Sequence, residues 1–251
     1  MRDTQYNYKL CKGCGLVDET LSLLSICNAD TTKESLAAYV HENNYLARCT
    51  DRRSMDIVKL VFWPRFMKSN KNVALWLKSI REKGLMLPQF KQLLMIYCAR
   101  ENAVMYDFIV QYLNEYKATN KTAGCIKQFI DDLVDKGLAK WSDSVKTRNS
   151  SYIKAVLVDF GFVNRRGDIL PYEVADFTIL YLMHELHFEG LSDIAIWNHE
   201  DWQLFGLDKY QVGERIMELN LKGGYIAQCT GDLMTISWKY NSMEEFINGT
   251  L

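Results

Sequence analysis

The sequence predicts a mainly α protein, a multi-helix chain with helix-turn-helix and winged-helix-like units and one short C-terminal β-hairpin wing. Only three prolines interrupt the 251 residues, at positions 64, 88 and 171, so little stops helices from propagating. Apolar residues recur mostly at spacings of three and four, the period of a helix with one buried face. A single stretch, YIAQCTGDLMTISWKY from Tyr225 to Tyr240, has two β-prone runs around Thr230, Gly231 and Asp232, the composition of a tight reversal.

In chain order, helices are expected over 16–27, 33–43, 52–63, 72–83, 89–101, 103–116, 123–135, 143–160, 172–188, 191–198 and 209–222. The first three are short and joined by a few residues, the arrangement a helix-turn-helix needs. In the third, Met55, Ile57, Val58, Leu60, Val61 and Phe62 leave only a stripe of Arg52, Asp56 and Lys59, so this helix is expected to be largely buried. The longest apolar run, Leu93 to Ala99, has the length of a core helix and falls well short of the roughly 18 residues of a membrane span. The pair at 123–135 and 143–160 repeats the short-then-long order. Helices at 191–198 and 209–222 followed by the hairpin give the order of a winged helix. Three segments result: an N-terminal helix-turn-helix-like unit over 1–70, a central helical region with a second basic unit over 71–167, and an acidic winged-helix-like unit over 168–251.

Hydrophobic content of 48% and charged content of 24% are those of an ordinary globular chain and exclude long disorder. The start, MRDTQYNYKL, has no apolar signal region, and seven scattered cysteines suit a reducing compartment; together they predict a cytoplasmic protein with no membrane partner. A net charge of −1 conceals a division. Residues 168–251 carry fourteen acids against four Lys and Arg, whereas residues 1–167 carry 26 bases against 17 acids. The first two-thirds is therefore expected to meet an anion, and the last third something else.

Two clusters are the candidate nucleic-acid contacts. At the start of the third helix, Arg48, Arg52 and Arg53 gather with Thr50 and Ser54. In the helix that follows WSDS, with Asp143 as its expected cap, Val145, Tyr152, Ile153, Val156 and Phe160 share a core side, and Thr147, Arg148, Ser150, Ser151 and Lys154 occupy the opposite arc, with Lys146 adding a third cation. Such side chains bond phosphates, or reach base edges when a helix lies in the major groove, and an accessible helix N-terminus adds its own attraction for phosphate. Arg165 and Arg166, beside Gly167, extend this cluster.

Catalytic and metal chemistry find no footing. LCKGCG, with Cys11 and Cys14, is half of a zinc ribbon with no second pair behind it. HELHFE places His184 and His187 three apart, not in the HExxH pattern, and reads as an interfacial or cap pair. KGCG and LKGG lack the spacing of a phosphate loop. No cofactor, metal or enzymatic activity is expected.

The strings KWSDSVKTRNSSYIKAVLVDFGFV, HEDWQLFGL and GGYIAQCTGDLMTISWKYNSMEEFI together resemble the BrxA family, a small component of bacteriophage exclusion (BREX) defence systems. Trp141, Ser142, Asp143 and Ser144 match the family's opening string, and Lys146, Arg148 and Lys154 its basic helix. His199, Asp201 and Trp202 match a further string in which Glu200 replaces proline. The resemblance implies a small, mainly helical protein with helix-turn-helix or winged-helix units that binds double-stranded DNA beside other BREX components. With no catalytic residues in the sequence, the expectation is a non-enzymatic DNA-binding subunit; a protein assembly adaptor and a binder of structured RNA are the alternatives.

Overall fold

A computed structural model of the chain describes residues 5–6, 13, 15–68, 72–112 and 122–251. These residues are mainly helical, with one two-stranded antiparallel sheet. They divide into two compact units, Met1–Lys78 with Leu94–Tyr172 and Ser79–Leu93 with Glu173–Leu251. No helix among the described residues is long and apolar enough to cross a membrane.

The first unit opens with α1 (Val17–Ile26), α2 (Lys33–Glu42) and α3 (Asp51–Asp56). Thr32 and Ser35 form a reciprocal capping box on α2, and Thr50 caps α3 by accepting from the Arg53 amide, so both starts are fixed by side-chain oxygens. The helix expected to stop before Pro64 continues through a π-helical segment, Ile57–Phe62, into α4 (Trp63–Phe66). Proline has no N–H, and its ring collides with the carbonyl four residues back. The Trp63 amide reaches back five residues to the Val58 carbonyl, a widening that accommodates the ring. Burial is also less complete than expected: Ile57, Val58, Val61 and Phe62 are buried but Leu60 is 49% exposed.

Helices α5 (Asn72–Glu82) and α6 (Leu87–Arg100) run across the division between the units. In α6 the run Leu93–Ala99 is buried, as its apolar length requires. Asn102 caps α7 (Ala103–Gln111); the remainder of the helix expected over 103–116 lies outside the described residues beyond 112, as do Cys11 and Cys14. Helix α8 (Thr122–Asp135) ends at Gly137, whose φ of 70° lets the Leu138 amide return to the Leu133 carbonyl at 2.9 Å. This is a left-handed cap that only glycine adopts without strain. Helix α9 (Asp143–Asp159) ends the same way at Gly161, with Phe162 bonded back to Leu157 at 2.8 Å. The chain then makes a short antiparallel reversal that the sequence reading did not anticipate, with a bridge between Val163 and Ile169.

In the second unit α10 (Asp176–Phe188) is buried continuously from Phe177 to Leu186. It begins four residues later than expected because Gln92 holds the preceding chain extended. The Gln92 amide donates to the Glu173 carbonyl and accepts from the Ala175 amide and the Thr178 hydroxyl, at 2.8, 2.9 and 2.8 Å. Next come α11 (Asp193–Trp197), a 3-10 turn over Glu200–Phe205, α12 (Lys209–Glu218), β1 (Tyr225–Thr230), β2 (Leu233–Trp238) and α13 (Met243–Thr250). The hairpin stands where the sequence placed it, with Ala227 opposite Ile236. Side chains occupy both of its edges: Asn220 exchanges two bonds with Ala227, and the Asp193 carboxylate takes the Ile236 amide. Open strand edges invite pairing with other chains, and these are blunted. Helix α13, capped by Ser242 and packed on α10, was not expected.

Candidate nucleic-acid interface

Helix α9 is the spine of the basic cluster. Asn149, Ile153, Val156, Leu157 and Phe160 are its buried side, so the core face is rotated from the expected one, and Val145 and Tyr152 stand half-exposed at its margin. Asn149, an amide fully out of solvent, takes the place the apolar pattern gave to Val145. On the outer side Thr147, Arg148, Ser151 and Lys154 are exposed. Neither Arg148 nor Lys154 is held by an acceptor among the described residues.

Other members of the expected set are already engaged. Lys146 points back to α8 and pairs with Asp131 at 3.2 Å, its side chain only 25% exposed. The hydroxyls of Thr147, Ser150 and Ser151 each donate to the carbonyl four residues earlier, at 2.9, 3.0 and 3.1 Å. Each hydroxyl has one proton to give, so these three can accept from a base amino group but cannot also donate to phosphate. The cap position belongs to Ser142 and not to Asp143. Its hydroxyl pairs with that of Ser144 at 3.1 Å, while Asp143 sits in the first turn. A carboxylate there suits the helix dipole but repels phosphate, so the α9 N-terminus is not the open anion site the sequence suggested.

Arg165 and Arg166 lie at the tip of the reversal after α9, both exposed and neither held by a described acceptor. The sequence reading omitted two neighbours. Lys136 and Lys140 flank Gly137 and Ala139 in the α8–α9 connection, exposed and likewise without a described partner. Their signal in the sequence is the pair of lysines around a turn glycine in DKGLAK, which lies in a connection and so on no helix face.

The other cluster is less open. Arg52 is exposed in the first turn of α3, Arg53 is half-buried, and Arg48 lines a groove that also holds the carboxylates Asp18 and Glu19. Asp51 at the helix start accepts from His41 at 2.6 Å, a bond that raises the imidazole pKa above its ordinary value.

The second unit presents its corresponding helix differently. Lys209, the first residue of α12, pairs with Asp232 at the hairpin tip at 2.8 Å and lies 4.5 Å over the Trp197 ring. Arg215 is held by both Asp176 and Glu218. What remains outward on α12 and just past it is mostly apolar and acidic: Tyr210, Met217 and Leu221 are 77%, 41% and 74% exposed, beside Glu214 and Glu218, with Lys222 as the one cation there that no described acceptor holds. Of the two histidines expected as a cap or interface pair, His184 is a core residue and His187 stands half-exposed. His184 is fully buried, stacked 3.9 Å from Phe246 and bonded through Nδ1 to the Leu180 carbonyl, and His187 stacks 4.2 Å from Trp238. Burial lowers the His184 pKa to about 4. Among the described residues no group of His, Cys, Asp or Glu is placed to hold a metal ion.

A family model described as BrxA matches residues 4–185 of the chain. No curated protein matches it.

Proposed function

The chain belongs to the BrxA family and is a component of BREX phage defence, and we propose that its part there is to bind double-stranded DNA without catalysing a reaction, beside other BREX components. The observation that carries this reading is the outer face of α9, where Arg148 and Lys154 are exposed and uncompensated between Lys140 at one end and Arg165 and Arg166 at the other. In this reading α7, α8 and α9 make a helix-turn-helix in which α9 is the helix that enters the major groove. The cations beside it hold phosphates, and the back-bonded hydroxyls accept from base amino groups.

The test is a binding titration against a duplex of about 25 base pairs at several salt concentrations. Six cations that displace counterions from the duplex, Lys136, Lys140, Arg148, Lys154, Arg165 and Arg166, give a log-log slope of roughly −5. Exchange of Arg148 and Lys154 for glutamine should flatten it by roughly 2. A stem-loop RNA of equal length that binds more tightly than the duplex would move the reading to structured RNA.

A second reading has its own support in the second unit. With Lys209 and Arg215 neutralised and Tyr210, Met217 and Leu221 exposed, α12 is a poor phosphate ligand and a suitable protein contact. The chain then joins DNA to a protein of the defence system, the first unit holding the one and the second the other.

A further inference from the structure

We propose that residues 162–170 are a DNA-binding wing whose tip, Arg165 and Arg166, enters the minor groove beside the major groove that α9 occupies, and so makes the site favour A·T-rich flanks. This rests on the DNA-binding reading of α9 and adds to it a second element, a second groove and a sequence preference.

The segment is built as a hairpin. Its two arms exchange the Leu170 amide to the Phe162 carbonyl and the Asn164 amide to the Asp168 carbonyl, both at 2.9 Å, on either side of the Val163–Ile169 bridge. Its base is fixed in the core: Phe162 and Val163 are each 1% exposed, and Phe162 stacks 4.3 Å from Tyr172. Its tip is fixed by Asn164, whose side-chain oxygen accepts the Arg166 and Asp168 amides at 2.9 and 3.0 Å. Gly167, at φ 96°, closes the turn in a conformation that favours glycine. The carboxylate of Asp168 in the same turn accepts from the Asn164 side-chain amide at 2.8 Å and bonds neither arginine. The two guanidinium groups therefore leave a rigid support with nothing to hold them.

Position and chemistry select the ligand. The hairpin follows α9 with only Phe160 and Gly161 between, the place a wing takes after the recognition helix. A tip so placed meets the groove next to the one the helix fills. The minor groove is about 6 Å wide, too narrow for a two-stranded ribbon with strands about 4.8 Å apart plus their side chains. An extended arginine fits it. Guanidinium is planar and more weakly hydrated than ammonium, and A-tracts narrow the groove and deepen its negative potential, which draws arginine in. The tip carries arginine twice, while the α8–α9 connection, placed for phosphates, carries lysine.

The experiment uses the full chain and two duplexes that share a central sequence and differ in flanks, A-tract or G·C-rich, read by fluorescence anisotropy with and without netropsin, a minor-groove ligand. Wild type should bind the A-tract duplex about tenfold more tightly and lose that advantage to netropsin. Arg165→Gln with Arg166→Gln should abolish the preference and the netropsin effect and flatten the salt slope by roughly 2. Asn164→Ala keeps both charges and loosens the tip, so it should shrink the preference while the slope stays. The proposal is overturned if wild type shows no preference, or if the double arginine variant retains it, and binding lost on exchange of Arg148 and Lys154 would then leave the α9 reading standing. Failure of wild type to bind either duplex at low salt overturns both together.

Discussion

A surface cation strengthens phosphate binding only as far as no carboxylate already holds it, which makes Lys146 and Lys154 unlike residues eight apart on one helix. Asp131 takes the first at 3.2 Å, and the second projects freely from the outer face. Asp131→Asn should release Lys146, steepen the salt slope by about 1 and tighten duplex binding several-fold at low salt. An unchanged slope would mean that Lys146 lies out of reach of the phosphates. His184 sets a different residue-scale expectation, on stability. Burial first, and His187 after it, depress its pKa to about 4, against the contrary effect of the Leu180 carbonyl. The unfolded chain therefore binds the proton more readily between pH of about 6.5 and about 4, and stability falls as pH drops through that window. The loss approaches about 3 kcal/mol at the acid end. Urea melts at pH 7 and pH 4.5 should differ by most of this amount in wild type and by less in His184→Phe, which keeps the stack on Phe246 and has nothing to protonate.

At the scale of elements, long helices were legible because a buried face writes its period into the sequence, as Ile153, Val156 and Phe160 do in α9. The C-terminal hairpin was legible from two β-prone runs and a turn glycine. What escaped was short or contrary to pattern. The reversal at 162–170 has too few residues to show alternation, although Asn164 and Gly167 carry turn chemistry. Helix α13 is eight residues long, and the helix across Pro64 depends on a π widening that no apolar period reveals. Asn149, polar and buried, rotated the α9 face away from its expected position. A further contact invisible in sequence joins distant elements. The Asp159 carboxylate at the end of α9 accepts the Gly15 amide at 3.0 Å, and Arg65 after the π segment donates to the Gly13 and Gly15 carbonyls. A Cβ at position 15 would stand 2.6 Å from the Asp159 oxygen. Both Gly15→Ala and Asp159→Ala should destabilise the chain, the latter by about 1–3 kcal/mol as the amide loses its acceptor. The double variant should cost less than the two losses added, since removing the carboxylate relieves the clash. Strict additivity in chemical denaturation would show that the two residues do not act on one another.

For the whole molecule, the charge division in the sequence becomes a division of free cations. Residues 168–251 contain four Lys and Arg; Lys209 and Arg215 are committed to Asp232, Asp176 and Glu218, Lys239 lies 5.0 Å over the Tyr240 ring, and Lys222 is left exposed with no acceptor among the described residues. Such pairs leave little net field to attract phosphate, whereas the outer face of α9 and its flanks keep theirs. Formal charge alone did not reveal this, because sequence counts Lys146 and Lys209 as it counts Lys154. Duplex affinity should then respond to Arg148→Gln and not to Lys209→Gln, although both remove one positive charge from a helix in the recognition position. If the first unit alone holds DNA, Lys209→Gln leaves the salt slope unchanged while Arg148→Gln lowers it by about 1. Equal slopes lost in both variants would place the two recognition helices on one DNA molecule, and the exposed Tyr210, Met217 and Leu221 would then have to be explained as part of that contact.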